Sequence, residues 1–80
     1  MDFISIDFET ANPDPTSACA VGLVLVSEGQ ILQTTKYFIR PPRIHFKDEF
    51  KRIHGIGVAD VIDAPRFDEI WPKLTDLIRD

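Results

Sequence analysis

The apolar positions of this chain change period along its length, and each period predicts an element. From Phe3 to Thr10 apolar and polar residues alternate: Ile4, Ile6 and Phe8 fall on one side, and Phe3, Ser5, Asp7 and Glu9 on the other. Successive side chains of a strand point to opposite faces, so this alternation of β-branched and aromatic residues with polar ones predicts a half-buried β-strand. Ala11-Asn12-Pro13-Asp14-Pro15-Thr16 follows. Its two prolines cannot donate to a ladder, and with Asn and Asp they mark a loop. Ser17–Val26 is apolar on both sides, with Ala18, Ala20, Val24 and Val26 on one face and Cys19, Val21, Leu23 and Leu25 on the other. That is the pattern of a strand covered on both faces. Gly22 within it predicts a bulge or a close approach of backbone. Ser27-Glu28-Gly29-Gln30 reads as a hairpin turn, and Ile31–Ile39 as a third strand antiparallel to the second. Its Gln33, Thr34, Thr35 and Lys36 suit a sheet edge.

Pro41-Pro42 ends that strand. Residues 43–56 are charged and irregular, with one helical turn expected at Asp48–Arg52. Ile53-His54-Gly55-Ile56-Gly57 reads as a tight connection whose glycines allow positive φ, and Val58–Ile62 as a further helical turn. The period then becomes helical: Phe67, Ile70, Trp71, Leu74, Leu77 and Ile78 predict a helix over Phe67–Arg79. Asp68 and Glu69 sit at its favourable end. Pro72 removes one backbone bond and is expected to kink it. Phe8, Phe67 and Trp71 are expected in the core. Phe46 and Phe50 are read as loop anchors in preference to a base-stacking platform. The fold class is therefore α/β, a three-stranded antiparallel meander followed by a helix. Such an order usually feeds another strand, parallel to the first, by a right-handed crossover. The first strand is accordingly expected to keep an open edge, a liability for self-association.

Eighty residues make at most one small domain, and 44% apolar with 28% charged content is that of a globular chain. The lone Cys19 excludes an internal disulfide and reads as a small buried thiol in a reducing, cytoplasmic setting. No apolar run approaches a membrane span and no basic-then-apolar leader opens the chain. The net charge of −4 argues against non-specific binding to a phosphate backbone. Its distribution changes that picture. No Lys or Arg precedes Lys36, whereas Lys36, Arg40, Arg43, Lys47, Lys51 and Arg52 fall within one stretch. An acidic first strand beside a basic segment suits a metal site next to a phosphate track, and equally a charged edge beside a solvated loop.

The candidate chemistry lies at Asp7 and Glu9. Two carboxylates on one strand face, roughly 6.6 Å apart along the strand, repel each other and resist desolvation unless a cation lies between them. A hard divalent ion held by oxygen ligands is the natural guest. Solvated charge at a strand end is the other reading of the same tripeptide. His45, in a polar loop, reads as surface, and His54 as a loop histidine.

Ile6-Asp7-Phe8-Glu9-Thr10, the meander, Ile53-His54-Gly55-Ile56 and Asp63-Ala64-Pro65-x-Phe67 occur here in one order. In that combination the chain resembles the DnaQ-like (DEDD) 3′–5′ exonuclease family, which includes the proofreading epsilon subunit of bacterial DNA polymerase III. The resemblance implies a ribonuclease H-like fold and metal-dependent hydrolysis of DNA or RNA from the 3′ end, with two Mg²⁺ or Mn²⁺ ions held by four carboxylates. It implies that Asp7 bridges both ions, that Glu9 is the second ligand and touches the terminal sugar, and that Thr10 helps place the 3′ nucleotide. It implies that His54 lines the nucleotide pocket, with Glu49 matching another pocket residue. A single-stranded 3′ end is the implied substrate, and a DNA polymerase subunit an implied partner. The family's His-Asn-x-x-Phe-Asp motif, its general-base histidine and its fourth carboxylate do not occur within residues 1–80. The chain therefore reads as the N-terminal part of one exonuclease domain, inactive alone. The alternative is a non-catalytic half-domain that binds nucleotide or a partner through its open strand edge.

Overall fold

The computed structural model describes residues 2–78. Three strands, β1 (Phe3–Thr10), β2 (Ala18–Ser27) and β3 (Gln30–Phe38), are followed by three helices, α1 (Asp48–His54), α2 (Val58–Val61) and α3 (Phe67–Ile78). The sheet is antiparallel with order β1-β2-β3, so β2 is central, and among the described residues no strand pairs with the outer edge of β1. The hairpin between β2 and β3 turns on Glu28 (φ 52°) and Gly29 (φ 78°). Two consecutive left-handed residues match the right-handed twist of the flanking strands. Among the described residues no helix is long and apolar enough to cross a membrane.

The register sorts the sheet into two faces. Ile4, Ile6 and Phe8 lie opposite Leu25, Leu23 and Val21, and Asp7 and Glu9 opposite Gly22 and Ala20. On the first face Val21, Leu23 and Ile39 pack against Ile70 and Leu74 of α3. On the second, Cys19 and Ala20 pack against Ile56 and Val61, with Phe46 and Ala64 half-buried beside them. β2 is thus covered on both faces over its N-terminal half, as its two-sided apolar pattern requires.

Several sequence expectations need correction. The bulges lie between Glu9 and Thr10 and between Leu25 and Val26, not at Gly22. A Cβ at Gly22 would meet only Asp7 O at 3.9 Å, an ordinary contact, so no close approach demands this glycine. At the first bulge Thr10 pairs with Ala18 while Glu9 pairs with Ala20, leaving Cys19 as the extra residue. Ala18 consequently packs on the α3 side, apart from Ala20. The turn expected at Asp48–Arg52 is the two-turn helix α1, which runs on through Ile53 and His54 and stops at Gly55 with φ 73°. Gly57, at φ −134°, is extended and needs no glycine conformation.

α3 runs continuously through Pro72 to Ile78, and the expected terminal residue Arg79 lies outside the described residues. Its start is fixed by Glu69, whose Oε1 accepts the Arg66 N–H at 3.0 Å. Only Ile70 and Leu74 of its apolar positions are buried. Phe8, Phe67 and Trp71, expected in the core, keep 41%, 42% and 48% of their surface exposed. The reason is placement: α3 sits over β2, so residues on its β1 side overhang the sheet and cover one another. Phe67 and Trp71 stack at 5.6 Å between ring centroids, and Phe8 lies 6.2 Å from Phe67.

Candidate functional site

Asp7 and Glu9 share the face of β1 turned away from α3, as strand alternation dictates. Asp7 is exposed and Glu9 half-buried. The cross-strand row that starts at Asp7 continues through Gly22 to Lys36. Gly22 has no side chain, so the space beside the Asp7 carboxylate stays open. Lys36 does not fill it from the far side, because its Nζ lies 5.3 Å over the Phe38 ring, a cation–π distance. The next row, Glu9·Ala20·Phe38, is closed over Ala20 by Ile56 and Val61. One carboxylate therefore stands in the open and the other at the rim of a small packed cluster.

Beneath Glu9 lies Cys19, which is free and fully buried. Its Sγ donates to the Glu9 backbone carbonyl at 3.4 Å. Burial pushes the thiol up to about 11, and the Glu9 charge pushes it the same way. The residue is a packed, protonated thiol, in line with the sequence reading.

The exit of β1 is tied down by the chain that leads into and through α1. Ala11 O accepts the Lys47 N–H at 2.9 Å. The Asn12 side-chain amide donates to His45 O at 2.8 Å. Thr10 O lies 2.9 Å from His54 Nε2. His54 Nδ1 accepts the Ile56 N–H at 2.9 Å, which leaves the ring proton on Nε2 and makes it the donor to Thr10 O. His54 also meets the Phe46 ring edge-on at 6.3 Å. Both of its nitrogens are thus spent on backbone, and the imidazole links the end of the acidic strand to the end of α1. The loop between β1 and β2 is held from within. Ala11 N–H donates to Ser17 O, and the Asp14 carboxylate takes the Thr16 N–H and hydroxyl. Those two bonds lower the Asp14 pKa.

The structure brings Asp7 and Glu9 onto one face and fastens Thr10 to His54. It does not gather all five candidates. The Thr10 side chain lies on the Phe8 side, where it lines a cleft of about 680 Å³ with Phe8, Ala18, Arg40 and Phe67. Glu49 is exposed on the first turn of α1, about 140° around the helix from His54. Among the described residues no group of three or more His, Cys, Asp and Glu side chains could hold a metal ion. The donors here are two carboxylates of the hard oxygen type that suits Mg²⁺ or Mn²⁺. His45 is exposed, as read from its loop, and Phe46 is a loop anchor. The sequence pattern assigns Asn12 only to a loop and Gly22 only to a bulge or a close approach, so neither is placed at the site. An amide side chain between a strand end and two prolines is the signal for the first; a glycine opposite the acidic residue of a neighbouring strand is the signal for the second.

The family model for exonucleases of the RNase T type matches residues 4–80. No curated protein gives a match. Among solved structures, exonuclease X in complex with 5′-overhanging duplex DNA superposes with a TM-score of 0.77 at 27% identity, covering 89% of this chain and 42% of that one. A full-length 3′-exonuclease gives a TM-score of 0.79 at 25% identity, covering 92% of this chain and 27% of that one. A 3′-exonuclease in 3′-end-specific recognition of a histone mRNA stem-loop gives 0.77 at 25% identity, with 92% and 37% covered. The chain thus spans between 27% and 42% of the length of these solved chains. The neighbours share the ribonuclease H-like fold, and the meander described above is its opening part.

Proposed function

This chain belongs to the exonuclease family of the RNase T type, and we propose that it is the metal-holding N-terminal part of a 3′–5′ exonuclease domain acting on a single-stranded 3′ end. The observation that carries the reading is the pair Asp7 and Glu9 on one face of β1, with the lane beside Asp7 left open by Gly22. Asp7 and Glu9 hold Mg²⁺ or Mn²⁺. When bound, such ions lower the pKa of the attacking water and stabilise charge on the attacking and leaving oxygens of the phosphodiester. The chain's own residues bind and orient. Their carboxylates offset the ions' charge, and the Thr10 backbone, pinned through its carbonyl by His54, sets the strand end beside which the 3′ nucleotide lies. His54 fixes that strand end, and Glu49 stands at the α1 side of the nucleotide. DNA and RNA are both admitted as substrate. Among the described residues no third donor joins the two carboxylates, so this pair binds metal without turning over.

Mn²⁺ titration with a nucleoside monophosphate, followed by calorimetry and by the Mn²⁺ electron-spin signal, tests this. The reading expects Asp7→Asn to abolish binding and Glu9→Gln to weaken it at least about tenfold, roughly the loss of one charged ligand. Mn²⁺ binding that neither substitution changes would sink it. Incubated with Mg²⁺, the purified chain should leave a 3′ single strand intact; degradation that Asp7→Ala abolishes would overturn the division of labour.

A second reading has one observation behind it. With two carboxylates and, among the described residues, no third donor beside them, the chain also suits a non-catalytic module that binds nucleotide or a protein partner. Nucleotide binding independent of Mn²⁺ would select that reading.

A further inference from the structure

The ladder between β1 and β2 is irregular where the second carboxylate stands. Glu9 pairs with Ala20 and Thr10 with Ala18, so Cys19 is an extra residue between them. A bulge disrupts pairing locally and bends its strand. Ladder geometry alone therefore does not set where the Glu9 carboxylate points. Two side chains hold the backbone there instead. Cys19 Sγ donates to Glu9 O at 3.4 Å, and a thiol is a weak donor. His54 Nε2 donates to Thr10 O at 2.9 Å, reaching across 44 residues of chain. His54 is the stronger of the two holds.

The imidazole is itself anchored. Its Nδ1 accepts the Ile56 N–H at 2.9 Å, and its ring meets Phe46 edge-on. Ile56 is buried in the cluster with Cys19, Ala20 and Val61. A neutral imidazole has one N–H and one lone pair, and both are used on backbone. No polar atom of the ring is left for a nucleotide. The two bonds also do different jobs. The Nδ1 bond spans two residues and closes the turn after α1. The Nε2 bond crosses from α1 to the acidic strand.

We propose that His54 is a positioning residue for Glu9, acting through the Thr10 carbonyl, and that this role takes the place of a bond to the nucleotide. The proposal rests on the reading of Asp7 and Glu9 as the metal-holding pair and deepens it. Groups that orient a liganding carboxylate typically account for tenfold or more of metal affinity. Asp7 lies opposite Gly22 in the regular part of the ladder and needs no such support.

The two bonds can be separated by substitution. An Asn side chain reaches as far as Nδ1 and offers an acceptor there; a Gln side chain reaches as far as Nε2 and offers a donor. His54→Gln keeps the tie to Thr10 O and drops the Ile56 bond, and His54→Asn does the reverse. Mn²⁺ alone, without nucleotide, is titrated into each purified chain and followed by its electron-spin signal, with folding checked by circular dichroism. His54→Gln should bind within about threefold of the unsubstituted chain, and His54→Asn at least about tenfold more weakly. Equal losses in the two variants overturn the proposal, because they track stability and not the tie. Unchanged affinity in His54→Asn overturns it as well, and is the result expected of a nucleotide contact. Mn²⁺ binding that Asp7→Asn abolishes and His54→Asn leaves alone fails this inference only; no Mn²⁺ binding by the unsubstituted chain fails the metal reading beneath it. Should either His54 variant not fold, Mg²⁺ titration of the unsubstituted chain decides. The nitrogen resonance of His54 Nε2 should then shift with the midpoint of metal binding, and a resonance that ignores the metal overturns the proposal.

Discussion

The two clusters on either side of β2 are built from different materials. On the α3 side Val21, Leu23, Ile39, Ile70 and Leu74 bring large aliphatic side chains together. On the other side Cys19, Ala20, Ile56 and Val61 bring smaller ones. Apolar burial stabilises in proportion to area, so the α3 side supplies most of the cohesion of this small chain. The second side is dense in hydrogen bonds instead. His54 ties Thr10 to Ile56, Lys47 bonds Ala11, and the Asp60 carboxylate accepts the Gly57 N–H at 2.9 Å. Hydrogen bonds are worth little net but have direction. One face of β2 holds the fold together; the other sets where the end of the acidic strand lies.

The largest effect should come from the cohesive side. Leu23→Ala empties a fully buried site and should cost about 3 kcal/mol in urea unfolding. A cost below about 1 kcal/mol, typical of surface positions, would mean that the α3 cluster is not the main core. His54→Ala should cost about 2 kcal/mol, since it leaves Thr10 O and the Ile56 N–H without their partner. Hydrogen exchange sharpens this. The Ile56 amide should exchange faster than the change in global stability accounts for, while amides of Val21 and Leu23 follow it. Uniform acceleration at all three would erase the distinction between cohesion and placement. Gly55→Ala, at φ 73°, should cost about 1 kcal/mol by straining the end of α1.

Cys19 gives a smaller effect confined to alkaline pH. Its thiol is raised from 9.0 to about 11 in the folded chain, so the folded state holds that proton more tightly. The corresponding stability is complete below pH 9 and is lost as pH rises towards about 11. Unfolding curves of Cys19→Ala should lack this component, and a thiol reagent at neutral pH should label Cys19 only after unfolding. Smallest of all, Asp7→Asn should change stability by no more than about 0.5 kcal/mol, because Asp7 is exposed. A large loss there would place Asp7 in the scaffold and remove it from the chemistry.

Much of this was legible in the residues. β1, β2, the hairpin and β3 appear within one residue of their expected bounds, and α3 begins at Phe67 as its spacing requires. The acidic pair and the buried thiol follow from the same patterns. The misses share a cause. Phe8, Phe67 and Trp71 have the hydrophobicity and spacing of core residues, but spacing fixes only which face of an element they occupy. Whether that face is covered depends on where α3 comes to rest, and it rests over β2. His54 carries no signal in its neighbours that both its nitrogens bond backbone, one of them 44 residues away in sequence.

The sequence by itself determined that Asp7 and Glu9 share a face, since a strand's two-residue period is local stereochemistry. It also determined where the chain turns, through Pro13, Pro15, Gly29 and Pro41. Only the tertiary structure decided which neighbours those faces meet. It placed the bulge that moves Ala18 away from Ala20, opened the lane beside Asp7 at Gly22, and fastened Thr10, Ala11 and Asn12 to the segment from His45 to His54. Those are contacts between residues far apart along the chain, and no local period encodes the meeting of two elements.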